Sequence, residues 1–212
     1  MVSQNSDVAS IIVGTNVLLY FLVHIPIEIL TYKYRMRGAN KKAKNYTAWE
    51  GDPLAAILTL TTTLVFWFVF LFWPVLHWTS ADSWILEFSV ITPPPLQIIG
   101  AALVFSGTFL ACSGRLARGR EAMSWGVPER LATSGGYRIV RHPLYWSYVL
   151  YFVGIPILLS NLLLLVLIFR IWGYYQTAKM EEEILVIEFG EEYRNYQQRV
   201  GMLFPLIGKK KI

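Results

Sequence analysis

The chain has 212 residues, 55% hydrophobic and only 16% charged, with mean hydropathy +0.44. A soluble domain carries about a quarter charged residues, so this composition excludes an ordinary soluble domain and points to the membrane class. The net charge of +5 does not call for nucleic acid, because the basic residues cluster in loops between apolar runs. A single cysteine, Cys112, excludes an internal disulfide and supplies no metal framework.

The first apolar run, Val8–Leu30, has no Lys or Arg before Lys33. It therefore lacks the basic lead of a cleaved signal peptide and reads as a retained span. Within it, His24 and Glu28 lie one turn apart, with Pro26 between them. Ionisable groups inside membranes are often functional, yet a structural reading is favoured. Glu28 reaches the interface, and His24 satisfies a carbonyl that Pro26 frees. A loop from Lys33 to Thr47 holds six basic residues and no acid.

Leu54–Trp78 is the second run, and His77 beside Trp78 reads as interfacial. The next loop, Thr79 to Pro95, holds Asp82 and Glu87 without Lys or Arg. Pro93-Pro94-Pro95 forms a stiff lead into the third run, Leu96–Cys112. There, Gly100, Ala102, Ser106, Gly107 and Ala111 allow close helix approach. The third loop, Ser113 to His142, carries six Arg and two Glu.

Two shorter runs follow, Leu144–Leu159 and Leu162–Tyr175, separated by Ser160-Asn161. They read as a tight helical hairpin, short enough to be tilted in a bundle. Basic loops stay cytoplasmic, so the N-terminus is expected outside and the C-terminus inside. Five spans satisfy that parity. From Lys179 to Val200, Leu185, Phe189, Tyr193, Tyr196 and Val200 share one helical face, predicting a C-terminal cytoplasmic helix. The expectation is an all-α polytopic membrane protein forming one domain, with residues 1–95 supplying two spans and 96–212 a catalytic core.

Polar chemistry gathers at two places. In Tyr137-Arg-Ile-Val-Arg141-His142-Pro143-Leu-Tyr145, Pro143 suits the first turn of a helix. Arg141 and His142 then flank its exposed N–H groups, an arrangement that attracts anions. Snorkelling of Arg138, Arg141 and His142 to lipid headgroups explains the same residues. The second place, Glu181-Glu182-Glu183, reads as a solvated face in isolation. At 100° per residue the three cannot all point one way, so one or two face inward.

Together the clusters closely resemble the isoprenylcysteine carboxyl methyltransferase family, within a wider group of phospholipid and small-thiol methyltransferases. The resemblance rests on Leu131-Ala-Thr-Ser-Gly135-Gly-Tyr137 and Arg141-His142-Pro143-x-Tyr145, then Glu182-Glu183-x-Leu185-x-x-x-Phe189-Gly190-x-x-Tyr193-x-x-Tyr196 and Phe204-Pro205. It covers roughly residues 96–206. It implies an integral membrane methyltransferase that uses S-adenosylmethionine and releases S-adenosylhomocysteine. The absence of a Gly-x-Gly-x-x-Gly dinucleotide fingerprint agrees with that.

By resemblance, Leu131, Ala132, Tyr137, His142, Pro143, Tyr145 and Glu183 hold the cofactor, Glu183, Glu182 and Arg141 serve catalysis, and no metal takes part. The partners implied are membrane lipids and a lipophilic or lipidated acceptor bearing a carboxylate, amine or thiol, with neither nucleic acid nor an obligate protein partner. One departure concerns the acceptor. The family carries an Arg one turn before the Glu pair, whereas this sequence has Lys179 there. Arg170 is thirteen residues before Glu183, roughly 20 Å along a helix. Alternative readings are a sterol-reductase-like NADPH oxidoreductase, for which the chain is short, and a non-catalytic scaffold or small transporter.

Overall fold

A computed structural model describes residues 2–36, 53–79, 90–119, 128 and 130–206. Its named elements are all helical: α1 (Val2–Met36), α2 (Pro53–Trp78), α3 (Pro94–Arg118), α4 (Pro143–Leu158), α5 (Arg170–Phe189) and α6 (Glu191–Arg199). Two 3-10 segments join them, Gly135–Arg138 before α4 and Leu162–Phe169 before α5. The stretches Asp7–Tyr32 of α1 and Pro94–Arg118 of α3 are long and apolar enough to cross a membrane. Leu64–Trp78 and Pro143–Leu158 are shorter apolar helices. Most loop charges that set the expected orientation, from Arg37 to Lys44 and at Asp82 and Glu87, lie outside the described residues.

The α3 and α4 helices pack most intimately, and glycine is the reason. A Cβ on Gly100 would stand 2.7 Å from the Leu158 nitrogen, and one on Gly154 2.9 Å from the Gly100 oxygen. In a bilayer, where apolar contact drives association weakly, such backbone approach supplies the packing energy. The contact face of α3 is Gly100, Val104, Gly107, Ala111 and Gly114, all buried. Ala102 and Ser106 are exposed instead. Small size marked both faces of α3 in the sequence; among the described residues, only one of them meets a helix.

Aromatic rings fill the space between α1, α2 and α4. Phe66, Phe70, Trp73, Tyr151 and Phe152 are almost wholly buried, with Phe66 stacked 5.3 Å from Phe70 and 5.7 Å from Tyr151. A polar thread crosses this core. The Tyr151 hydroxyl donates to Thr108 Oγ1 (2.9 Å), which donates to Asn16 Oδ1 (2.6 Å). Asn16 in turn donates to the Ile12 carbonyl. His24 bonds the Tyr20 carbonyl (2.7 Å), one turn back, rather than a carbonyl freed by Pro26. Glu28 is exposed. His77 is tied to Asp7 across α1 and α2 at 2.9 Å.

The hairpin falls where the polar break predicts. Ser160 adopts φ 54°, and its carbonyl accepts from Val90 N while its hydroxyl accepts from Gln97. Asn161 accepts from Leu163 N and so starts the return leg. That leg begins as eight residues of 3-10 helix, unusually long for this geometry. At about 2.0 Å rise per residue instead of 1.5, it lengthens a short apolar run by roughly 4 Å.

The C-terminal helix is not continuous. Gly190 takes φ 53° and ends α5, and α6 starts afresh at Glu191. A left-handed backbone suits glycine best, so the chain turns there and lays Tyr193 and Tyr196 into the protein.

Candidate functional site

The bend at Gly190 creates the site by folding α6 back over the loop before α4. After α6 the chain runs beside residues 140–142: Val140 pairs with Gly201, Arg141 N donates to Gly201 O (2.8 Å) and His142 N to Met202 O (3.1 Å). On the other side, Gly135 and Gly136 press the loop against α3. A Cβ on Gly135, whose φ is +57°, would meet the Ser113 carbonyl at 2.8 Å. One on Gly136 would meet Pro143 at 2.9 Å. The loop is thereby held between the end of α3 and the C-terminal strap.

At the centre stands Glu182, 9% exposed. Arg141 grips it with a fork, Nε to Oε1 at 2.6 Å and Nη2 to Oε2 at 2.8 Å. His142 Nε2 (3.3 Å), the Tyr193 hydroxyl (3.2 Å) and Gln197 Nε2 (2.9 Å) donate to it as well. Burial alone would raise its pKa, but the bonds from His142 and Arg141 outweigh it and hold the carboxyl at about 2. A carboxylate so low and so fully bonded is a poor proton acceptor.

Arg141 is equally committed. Its Nη1 donates to the carbonyls of Gln197 (3.1 Å) and Val200, closing the end of α6. Nothing of this guanidinium snorkels.

His142 occupies the N-cap position of α4 without a side-chain capping bond, with Pro143 in the first turn as expected. Both ring nitrogens face carboxylates, Nδ1 to Glu181 at 3.3 Å and Nε2 to Glu182 at 3.3 Å. Desolvation disfavours its cation, yet the two carboxylates prevail and its pKa rises above the ordinary value. The imidazole lies parallel to the Tyr145 ring, 5.5 Å away, and the Tyr145 hydroxyl donates to Glu181.

Glu181 thus joins the cluster while 39% of its side chain still faces outward. Glu183 does not join; it is exposed, about 100° round α5 from Glu182. Lys179 is also exposed, its ammonium 5.9 Å from the Tyr175 ring. Tyr137 accepts at its carbonyl from the Tyr196 hydroxyl (2.5 Å). Its own phenol is raised, chiefly by burial, with Arg118 opposing. Leu131 and Ala132 sit half-buried in the extended stretch leading to the Gly135–Arg138 turn.

Sequence reasoning missed Glu181, Tyr193 and Gln197 as partners, and Tyr174, whose ring packs 5.1 Å from Tyr145. Seven residues separate Tyr174 from Glu181, two helical turns, and that spacing was the available signal. An apolar groove of about 640 Å³ lies between α2 and the 3-10 segment, lined by residues such as Trp67, Phe72 and Leu163, and shares no residue with the cluster.

Residues 96–192 match the phospholipid methyltransferase family. The chain is 31% identical to methanethiol S-methyltransferase 1 of Bradyrhizobium diazoefficiens over 168 residues, 74% of this chain and 54% of that protein. It is 27% identical to a Pseudomonas sp. methanethiol S-methyltransferase over 190 residues, 84% of this chain and 71% of that one. With the human protein-S-isoprenylcysteine O-methyltransferase it shares 36% over 84 residues, 39% of this chain and 30% of that one. The chain thus spans about half the length of the first of these relatives. These names agree with the resemblance read from the two motif clusters: the relatives are methanethiol S-methyltransferases and a protein-S-isoprenylcysteine O-methyltransferase.

Proposed function

We propose that this chain, whose residues 96–192 carry the phospholipid methyltransferase pattern, is an integral membrane enzyme. It moves a methyl group from S-adenosylmethionine to a lipophilic acceptor bearing a carboxylate, thiol or amine. One observation supports the reading most. Arg141 and His142, the motif ahead of α4, meet Glu181 and Glu182 some forty residues later in one buried cluster.

The residues present fit the cofactor's chemistry. Glu181, oriented by Tyr145 and His142 yet partly open, suits an ammonium or ribose hydroxyls. The N–H groups in the first turn of α4, beside His142, suit a carboxylate. Tyr137 and Tyr145 offer flat faces to adenine or to a sulfonium, and Leu131 and Ala132 backbone groups to the adenine edge. When bound, the cofactor supplies the methyl group as an electrophilic sulfonium. The protein orients the reactants and keeps the site dry, conditions that favour collapse of opposite charges. A carboxylate acceptor needs no base. For a thiol or amine, Glu181 is the carboxylate placed to take the proton, since Glu182 is committed to its five donors. Glu183 and Lys179 have no part in this arrangement.

In this reading residues 96–212 form the catalytic core and the first two spans complete one domain. The cluster opens to the cytoplasm, with the N-terminus outside, on the strength of the loop charges. The test is calorimetry of the purified chain with S-adenosylhomocysteine and with NADPH. Micromolar binding of the first, none of the second, and a roughly tenfold loss in Glu181→Gln are expected. Binding of NADPH alone favours a reductase, and binding of neither a scaffold.

A further inference from the structure

Arg170 opens α5 within the apolar run and is 7% exposed. An arginine guanidinium is a cation with five N–H donors in a rigid fork. Nη2 donates to the Tyr174 hydroxyl at 3.2 Å, and the carbon centre lies 4.6 Å above the Tyr174 ring. Nε and Nη1, both buried, have no acceptor among the described residues. Arg141 shows what a structural arginine looks like in this protein, with a carboxylate fork and two carbonyls filling its donors. Arg170 has no such set. An orphaned buried donor is costly, more so when it is charged, and ionisable groups at membrane depth tend to mark substrate paths.

Its position links it to the cluster. Tyr174 packs against Tyr145 at 5.1 Å, and Tyr145 stacks on His142 at 5.5 Å. Tyr148 lies parallel to Tyr174 at 5.1 Å and is within electrostatic reach of Arg170. A row of phenols therefore runs from the polar cluster to the guanidinium, which stands about 18 Å from Glu182 along α5, next to the apolar segment Leu162–Phe169.

Resting on the methyltransferase reading above, we propose that Arg170 receives an anionic group of the acceptor other than the atom that is methylated, a carboxylate carried on its apolar body. The pairing neutralises a cation that has no carboxylate partner among the described residues, supplies acceptors for Nε and Nη1, and rejects an ammonium. Lys179, exposed on the other face, is not needed for this task.

The test uses the full chain in lipid nanodiscs, with equilibrium dialysis of labelled octanoate, octanol and octylamine against empty-disc blanks. Wild type is expected to hold octanoate at least tenfold tighter than octanol, and octylamine most weakly. Arg170→Met abolishes that preference and Arg170→Lys retains part of it, while S-adenosylhomocysteine affinity is unchanged in both. Equal binding of octanoate and octanol by wild type overturns the proposal, as does a preference that survives Arg170→Met. If Arg170→Met does not fold, the wild-type series and Arg170→Lys decide. Octanoate selectivity without S-adenosylhomocysteine binding leaves the anion site standing and removes the methyltransferase reading.

Discussion

Replacing Glu182 with Gln removes one charge from a group that binds five donors, and the cost can be worked from the site. Folding holds this carboxyl at about 2 rather than the usual 4.5. At roughly 1.4 kcal/mol per tenfold, that amounts to about 3 kcal/mol of stability at neutral pH. Breaking a buried pair on one side independently costs about 3–5 kcal/mol, because the abandoned Arg141 stays buried. The amide also turns one acceptor into a donor facing the guanidinium fork. For a chain of this size the loss corresponds to a fall of roughly 6–12 °C in apparent melting temperature. Tryptophan fluorescence melts in one fixed detergent, with Glu183→Gln beside it, provide the measurement. The exposed Glu183 variant should melt within about 1 °C of wild type. A Glu182→Gln protein that melts with wild type would refute the idea that this carboxylate holds α5, α6 and the loop together.

Other expectations follow from the same geometry. Stability should fall on both sides of a mildly acidic optimum. Glu182 contributes above about 4.5 and its share is lost as pH falls toward about 2. His142, whose folded value is raised, contributes below 6.5 and its share is lost as pH climbs through that higher value. Melts across pH should show the acid limb flattened in Glu182→Gln and the alkaline limb in His142→Gln. Gly107→Leu should lower melting by several degrees, since even a Cβ there meets the Tyr151 ring at 2.9 Å. Thr108→Val strands the Tyr151 hydroxyl and the Asn16 oxygen, and should cost roughly 1–2 kcal/mol in the same assay.

Much of this fold is written in local pattern. Apolar length gave the helices, Ser160-Asn161 the hairpin tip, and Pro143 after His142 the start of α4. The pairing of the two motif clusters was legible only through family resemblance, because no local rule joins residues forty apart. Which glutamate of three turns inward depends on how α5 is rotated against α4, a tertiary quantity. The sequence therefore narrowed the choice without making it, and Glu181 with Glu182, not Glu183, proved to face the histidine. Periodicity was also blind to Gly190, since a break that keeps Tyr193 and Tyr196 inward leaves the count of apolar spacings intact. The orphaned donors of Arg170 could not be foreseen at all, for solvation of a side chain is known only once its neighbours are placed.

The strap formed by Gly201 and Met202 has a consequence for biogenesis. Helices can enter the bilayer in order of synthesis, but the carbonyls that hold Arg141 and His142 come some sixty residues after them. Until that late stretch has been translated and threaded back, the buried acids and cations lack their final arrangement, so a nascent chain stalled before it would be inserted yet inert.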